Sequence, residues 1–483
     1  MHTYLMTLET VSLEKHTYGG EALGRLSDGR AVFVPYALPG ETVRVHLVED
    51  KKRFARAELV EIIEPSAKRI EPRCPHFFTP PVSPARAGGT KGGVLPARGG
   101  TEGGVPPTNE EETEGREANG VMMGEDGSAR EGETGGVPCG GCHYQHIPYK
   151  EQLLIKTEIL RDQLNRIGKI ENPPIQPTVP CPQPWNYRNH VQFHISPDGR
   201  LGFQAPRAEA IIPIEECHLP EQAINQFWPQ LDIESIPGLD RVGVRLGAND
   251  DLMIVLESSD PQPVGLNVDM PLSVVHLGPG GSLVMAGDDH IVIEVGERLF
   301  RVSAASFFRV NTTMAEKMAA HLLDNLPLTE ETTLLDAYCG VGLFSAFLAP
   351  HVGRLIGIEA SPSASEDFTT NLDEFDHVEL YEAPVEDVLP ALDLHPSTSP
   401  SRLRAGPDVI LVDPPHSGLA RGALDGILSL APQTLAYISC DPATLARDAK
   451  RLTNGGYQLQ QITPFDLSPQ TYHIESISFW VKP

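Results

Sequence analysis

Residues 334–344 read LLDAYCGVGLF, an apolar run that ends in a glycine-containing loop and continues into a second apolar run. The first run has the length of a buried strand, and the second begins like a helix. Gly340 and Gly342 allow the backbone to approach a ligand where a side chain would clash, and the helix start presents free N–H groups. The segment therefore predicts a strand–loop–helix unit with a ligand at the loop, although a tight turn without a ligand fits the same residues.

Further buried strands follow this unit along the chain, and helical runs separate them. They read LIGIE at 355–359, VILV at 409–412, LAYI at 435–438 and SISFWV at 476–481. Strands that alternate with helical runs predict a parallel, doubly wound sheet, here over residues 301–483. The acidic Glu359 ends the second strand about 20 positions after the loop, which suits two ribose hydroxyls. Since the loop reads CGVG and lacks the GxGxxG spacing, S-adenosylmethionine suits it better than NAD.

Chemically active side chains follow the later strands. Asp413 begins the Asp-Pro-Pro turn of VDPPHSGL, Cys440 lies in SCDP, and Glu475 precedes the last strand. Ligands in such sheets bind beyond the carboxyl ends of the strands, so Cys440 is a candidate nucleophile and Glu475 a candidate base. A simple strand-ending turn and a buried, inert cysteine are the structural alternatives.

The overall composition limits the location and the partners of the chain. Its 483 residues are 40% hydrophobic and 21% charged, with seven cysteines and a net charge of −27. No apolar run reaches the roughly 18 residues of a membrane span, and the start lacks a signal-peptide pattern. Seven is an odd number of cysteines and a small one for this length, which argues against a secreted disulfide scaffold. We expect a cytoplasmic monomer without a membrane partner. Because the net charge is negative, binding to nucleic acid would require a locally basic patch on the surface.

The N-terminal half divides into three parts of different composition. Residues 1–66 alternate short apolar runs with glycine turns and predict a small barrel of the oligonucleotide-binding kind. Its segment KKRFAR at 51–56 would suit a phosphate backbone and a stacked base, and a solvated hairpin tip explains it equally well. Residues 79–138 hold fifteen Gly, seven Pro and no aromatic residue, so we interpret them as a disordered insertion. Residues 67–78 and 139–300 form a strand-rich central domain, which a helix from Tyr149 to Ile167 opens.

Together these motifs resemble the uracil-C5 RNA methyltransferases. The resemblance rests on SFFRVN at 306–311, LLDAYCGVGLF, VDPPHSGL, YISCDPATLARD at 437–448 and TYHIES at 471–476. It covers most of the chain outside the insertion, and the barrel resembles the TRAM domain of the ribosomal-RNA branch. The resemblance implies a Rossmann-like, class I S-adenosylmethionine methyltransferase domain of the α/β class. It also implies an RNA substrate, with ribosomal RNA favoured over transfer RNA.

The family's chemistry assigns roles to these residues. Cys440 would add to C6 of uracil, C5 would take the methyl group, and Glu475 would remove the C5 proton. The residues implied to bind the methyl donor are Arg309, Tyr338, Gly340, Gly342, Glu359 and Asp413. The target uridine must leave its stack to reach such a crevice.

Four further cysteines resemble the ligands of a [4Fe–4S] cluster in this family. They are Cys74, Cys139, Cys142 and Cys217, and the insertion separates the first from the second. A long loop adds little closure entropy, so the four ligands remain compatible with one site. Zinc or free thiols are the alternatives.

The chain departs from the family pattern at a few positions. Arg309 stands where the family commonly has Gln, and Leu343 stands where Asn often follows the loop. The asparagine that often contacts adenine is replaced near Ala383-Pro384. Two other functions fit parts of the sequence. An amino-group methyltransferase would use the Asp-Pro-Pro turn and leave Cys440 idle, whereas a non-catalytic RNA-binding protein would use only the barrel and the cysteines.

Overall fold

The computed structural model of the chain describes residues 8–82, 138–231, 238–260, 271–393 and 406–483. Within these ranges, residues 8–15, 21–67 and 78–82 form one compact unit and the other residues form a second one. The predicted insertion 79–138 lies outside the described residues except at its two ends. No helix in the described ranges is long and apolar enough to cross a membrane.

The smaller unit is a closed five-stranded barrel with the strand order β1-β2-β3-β5-β4. Its strands are β1 (Leu8–His16), β2 (Glu21–Arg25), β3 (Ala31–Pro35), β4 (Thr42–Asp50) and β5 (Phe54–Glu64). Alternate apolar side chains such as Val32, Val34, Val43 and Val45 are fully buried, as the period-two pattern requires. The predicted N-terminal barrel is confirmed.

The larger unit begins with a helix and a mixed sheet. Helix α1 (Tyr149–Gln163) continues as a π-turn over Leu164–Gly168, close to the predicted helix 149–167. The seven strands have the order β12-β11-β10-β9-β6-β7-β8. They and a short helix are β6 (His190–Ile195), β7 (Leu201–Gln204), β8 (Ile211–Pro213), α2 (Gln222–Phe227), β9 (Leu239–Leu246), β10 (Leu252–Ser258), β11 (Ser273–Gly278) and β12 (Gly281–Ala286). The hairpin β13 (His290–Val295) and β14 (Arg298–Ser303) follows.

The C-terminal part of the larger unit is a second seven-stranded sheet with helices between its strands. Its elements are α3 (Thr312–Asn325), β15 (Thr333–Ala337), α4 (Leu343–Leu348), β16 (Arg354–Glu359), α5 (Pro362–Asn371), β17 (Val378–Glu382), α6 (Val385–Asp393), β18 (Val409–Val412), α7 (Arg421–Leu430), β19 (Thr434–Ser439), α8 (Pro442–Asn454), β20 (Gln458–Phe465) and β21 (Glu475–Val481). The strand order is β17-β16-β15-β18-β19-β21-β20. Every strand from β15 to β19 pairs in parallel, and β21 runs antiparallel to β19.

This sheet confirms the predicted doubly wound α/β fold. The residues of β18 and β19 are all buried, because helices cover both faces of a parallel sheet. The strand order reverses between β15 and β18, and β16 lies on the far side of β15. Ligands of such sheets bind at this reversal, beyond the carboxyl ends of the strands.

Candidate active site

The strand register brings the predicted site residues to one edge of the C-terminal sheet. Ala337 pairs with both Ile358 and Val412, so Tyr338, Glu359 and Asp413 each lie one residue beyond aligned positions. Ser439 pairs with Ser476 across the antiparallel β19–β21 pair. Cys440 follows the first of these serines and Glu475 precedes the second, so both face the same edge. The fold itself therefore brings the glycine loop, the thiol and the carboxylates together.

Arg309 occupies the centre of this edge and binds two carboxylates. One guanidinium nitrogen donates to Asp413 Oδ2 at 2.6 Å, and another donates to Glu475 Oε1 at 2.7 Å. The guanidinium also lies 5.3 Å from the ring centroid of Phe344. Arg309 is 7% exposed and Glu475 is 9% exposed, so water screens these charges poorly. The Gln-to-Arg departure thus places a buried cation between the carboxylates.

Hydrogen bonds of its own loop hold Arg309 in place. Ser306 donates its hydroxyl hydrogen to Asp367 Oδ2 at 2.5 Å. Asn311 accepts from the Met314 N–H and so caps α3, while its side-chain N–H group donates to the Leu467 carbonyl oxygen at 3.1 Å. The SFFRVN segment is therefore a loop that is fixed at both ends around a buried arginine.

Burial and charge set the proton affinities at this edge. Burial raises the pKa of Glu475, and Arg309 opposes that rise. Burial likewise raises the pKa of Asp413, with Arg309 again opposing it. For Arg309, burial alone would lower the pKa, but the charges of Asp413 and Glu475 raise it above the ordinary value. The arginine stays charged, and Glu475 is a stronger base than an exposed carboxylate.

Cys440 lies half-buried at the rim of the sheet, in the turn that starts α8. Asp441 caps this helix by accepting from the N–H groups of Ala443 and Thr444, both at 2.8 Å. Burial and, after it, the charges of Glu475 and Asp413 together raise the pKa of the Cys440 thiol to about 12. The Cys440 Sγ atom is 3.4 Å from His416 Nδ1, a contact that the sequence did not reveal. The thiol is thus accessible but strongly protonated unless a base takes its proton.

The glycine loop has the geometry of a ligand-binding turn. Tyr338, Gly340 and Gly342 have φ angles of 66°, 55° and 87°. A Cβ atom at Gly340 would meet open space, whereas one at Gly342 would lie 2.3 Å from the Leu372 side chain. Glu359 accepts from the Gly340 N–H at 2.9 Å and so ties the loop to the second strand. The space beside Gly340 would allow a ligand to approach the protein backbone closely, as a ligand at this loop would require.

Comparison with known proteins identifies the family. The family model for tRNA (uracil-5-)-methyltransferase matches residues 287–482, and that for the TRAM domain matches residues 3–60. An uncharacterized RNA methyltransferase of Aquifex aeolicus is 32% identical over 97% of both chains. The chain belongs to the uracil-C5 RNA methyltransferases. Members of this family are S-adenosylmethionine-dependent enzymes, and this chain is one of them.

Two further comparisons agree with this assignment. An uncharacterized RNA methyltransferase of Halalkalibacterium halodurans is 29% identical over 97% of this chain and 95% of its own. The solved tRNA (uracil-54, C5)-methyltransferase of Pyrococcus abyssi, in complex with S-adenosyl-L-homocysteine, is 20% identical and has a TM-score of 0.64. That alignment covers 98% of this chain and 99% of the other, and it shows that the two share a fold.

The four cysteines of this methyltransferase that were predicted as cluster ligands line one cavity of about 270 Å³. The cavity is lined by Cys74, Cys139, Cys142 and Cys217 together with mainly apolar neighbours. Among the described residues, no three or more His, Cys, Asp or Glu side chains converge closely enough to hold a metal ion. Burial raises the pKa of Cys139 to about 12 and that of Cys217 to about 11. The four thiols therefore line one cavity, but they do not converge on a common point, and their raised pKa values favour the protonated form.

The basic segment of the TRAM barrel is partly engaged in its own fold. Arg56 donates to both carboxylate oxygens of Glu21, at 2.8 and 2.9 Å, and its guanidinium lies 5.6 Å from the Phe33 ring centroid. Phe54 packs edge-on against Phe33. Lys52 and Arg53 at the tip of the hairpin are exposed.

Proposed function

We propose that the enzyme forms 5-methyluridine in RNA through a covalent Cys440 adduct. The observation that supports this mechanism most directly is the pairing of Ser439 with Ser476, which sets Cys440 and Glu475 side by side at the edge that carries the donor loop. A thiol and a base are the two groups that C5 methylation of uracil requires, because C5 alone is a weak nucleophile. An amino-group methylation would leave both idle.

In the proposed cycle each residue has one task. The Cys440 thiolate adds to C6, and the C5=C6 electron pair moves toward C5 and the O4 oxygen. C5 then takes the methyl group from S-adenosylmethionine, which supplies an electrophilic methyl when bound. Glu475 removes the C5 proton, the C5=C6 bond forms again and the C6–S bond breaks. We assign Tyr338, Gly340, Gly342 and Glu359 to the donor.

Arg309 and Asp413 act next to the reacting atoms in this scheme. The pair of hydrogen bonds from Arg309 keeps Glu475 Oε1 and Asp413 Oδ2 at fixed positions around one guanidinium group. This role for Arg309 differs from the direct donor contact that the family resemblance implied. Asp413 would orient the uracil ring or the donor through its second oxygen.

RNA that contains 5-fluorouridine tests the covalent step, because fluorine at C5 blocks proton removal. With donor present, the wild-type enzyme should form a denaturation-resistant adduct, and Cys440→Ala should form none. Glu475→Gln should still bind RNA and add to ordinary uridine but fail to release the methylated product. Full methylation by Cys440→Ala would overturn the mechanism and favour an amino-group target.

We also propose ribosomal RNA as the substrate, in preference to transfer RNA. This choice rests on the resemblance of the TRAM barrel, matched over residues 3–60, and of the four cysteines to the ribosomal-RNA branch of the family. Mass spectrometric nucleoside mapping of both RNAs from a strain that lacks the gene tests it directly. Loss of 5-methyluridine from transfer RNA alone would contradict it.

A third proposal is that Cys74, Cys139, Cys142 and Cys217 hold a [4Fe–4S] cluster. Four thiols around one apolar cavity fit the donor set of such a cluster, although they must close in to bind it. When bound, the cluster would cross-link three separate stretches of chain and so stabilise the fold. Because burial raises the thiol pKa values, loading should release protons. Anaerobic reconstitution should give an iron–sulfur absorption band that Cys142→Ser loses, and a zinc-only product would contradict the proposal.

A further inference from the structure

His416 contacts the Cys440 thiol, and the mechanism above gives this histidine no role. It follows the Asp-Pro-Pro turn directly, in the sequence VDPPHSGL, and it is exposed. Its Nδ1 atom lies 3.4 Å from Cys440 Sγ, within hydrogen-bonding distance for sulfur. Its ring is 6.3 Å from that of His473. The turn that ends β18 thus carries two functional side chains, Asp413 and His416.

The environment of Cys440 makes a neighbouring base necessary. Glu475 on β21 and Asp413 at the end of β18 face the thiol with negative charge, and Arg309 before α3 offsets only part of it. Burial, and after it the charges of Glu475 and Asp413, raise the thiol pKa to about 12, so the thiol keeps its proton near pH 7. Cys440 therefore needs a proton acceptor in contact with its sulfur.

Glu475 does not fill this need, because it has another proton to take. Its Oε1 atom already accepts from Arg309 at 2.7 Å. If Glu475 took the thiol proton, it would be neutral when the C5 proton had to leave. Two proton transfers at different stages of one turnover require two acceptors, and the edge of the sheet provides a carboxylate and an imidazole.

We infer that His416 is the general base that removes the Cys440 proton through Nδ1, and this inference rests on the proposed covalent mechanism. The S–H bond breaks as the Nδ1–H bond forms, which yields a thiolate beside an imidazolium. The thiolate electron pair then forms the S–C6 bond. After Glu475 has taken the C5 proton, elimination returns the thiolate, which takes its proton back from the imidazolium. Glu475 then releases the C5 proton to solvent. Each turnover thus transfers one methyl group to the RNA and releases one proton.

The pH dependence of adduct formation with 5-fluorouridine RNA tests the role of His416. In the wild type the rate near pH 7 should be high, because His416 takes the thiol proton directly. In His416→Asn it should fall by about a hundredfold or more at pH 7 and rise about tenfold per pH unit. His351→Asn, a change at another exposed histidine, is the matched control and should keep the wild-type profile.

Imidazole rescue separates proton transfer from a structural effect. His416 is exposed, so His416→Ala should fold normally and leave space that free imidazole can enter. Added imidazole should then restore adduct formation in proportion to its concentration. If both His416 variants keep the wild-type rate and profile while Cys440→Ala forms no adduct, the inference is wrong and the covalent mechanism stands. Loss of activity at every pH without rescue would also overturn the inference, whereas an active Cys440→Ala would overturn the mechanism itself.

Discussion

Replacing Arg309 with methionine is expected to destabilise the enzyme in a strongly pH-dependent manner. Arg309 is 7% exposed and makes charge-assisted hydrogen bonds of 2.6 and 2.7 Å to Asp413 and Glu475. Removing one partner of a buried ion pair typically costs about 3–5 kcal/mol, because the remaining charge is left without compensation. We expect that loss in the free energy of unfolding at about pH 8, where both carboxylates are ionised in the unfolded chain.

The sign of the pH dependence follows from the pKa directions of the two carboxylates. Burial raises both pKa values, and Arg309 opposes the rise, so its removal raises them further. The folded variant then holds protons that the unfolded chain releases, and stability falls as the pH rises through the folded-state pKa values. Each such proton contributes a slope of about 1.4 kcal/mol per pH unit. The defect should therefore be small at about pH 3, where the carboxylates are mostly protonated in both states, and should reach its full size at about pH 8.

Urea unfolding, followed by tryptophan fluorescence at several pH values, measures this effect. Trp480 is fully buried in β21, the strand that begins at Glu475, and should report on this region. Arg354→Met is the matched control, since Arg354 binds Glu379 with two hydrogen bonds but both side chains are substantially exposed. It should cost about 0–1 kcal/mol. An Arg309→Met defect that is no larger than the control, or that is equal at about pH 5 and about pH 8, would refute the reasoning.

Three other changes have expected outcomes of their own. Lys156→Met leaves the buried Asp466 without the partner that it contacts at 2.5 Å. The change should lower the free energy of unfolding in urea by about 3–5 kcal/mol, and adding Asp466→Leu should recover most of this loss. Gly342→Ala, with φ of +87° and no room for a Cβ atom, should lower the melting temperature. Gly340→Ala has open space but a φ of +55°, so it should lower the melting temperature less and also weaken donor binding in calorimetry. Replacing residues 84–136 with a short linker should leave methylation and the melting temperature nearly unchanged, because their composition cannot form a core.

The sequence was sufficient to predict the C-terminal sheet and the edge that carries the site. Buried parallel strands are continuous apolar runs, and they are visible in LLDA, VILV and LAYI. Because ligands bind beyond the carboxyl ends of such strands, the residue after each run was a candidate. The register confirms that Glu359, Asp413 and Cys440 share one edge. Periodicity and strand direction carry this information locally, so no long-range contact had to be known.

Side-chain partners from distant segments could not be predicted in this way. In α1 the apolar Leu154 is 58% exposed, whereas the charged Lys156 is fully buried against Asp466. The pairing depends on a loop 310 residues away in the chain. Arg309 was assigned to the donor by analogy, and its bridge to Asp413 and Glu475 likewise joins three segments. His416 belongs to the motif VDPPHSGL, and the only sequence signal for its role was the presence of an imidazole shortly after the end of a strand.

The buried Arg309 and the exposed His416 both offset the negative charge that opposes ionisation of the Cys440 thiol. A thiolate must form beside Asp413 and Glu475, and both carboxylates oppose a third negative charge. Arg309 compensates about one of the two carboxylate charges, which leaves roughly one net negative charge at the crevice before Cys440 ionises. When His416 takes the thiol proton, the imidazolium stays in contact with the new thiolate, so the transfer adds no net charge to the site. The transfer creates a neutral pair where loss of the proton to water would add a second negative charge. The same reasoning explains why the thiol carries its proton at rest and loses it only to a base that it contacts.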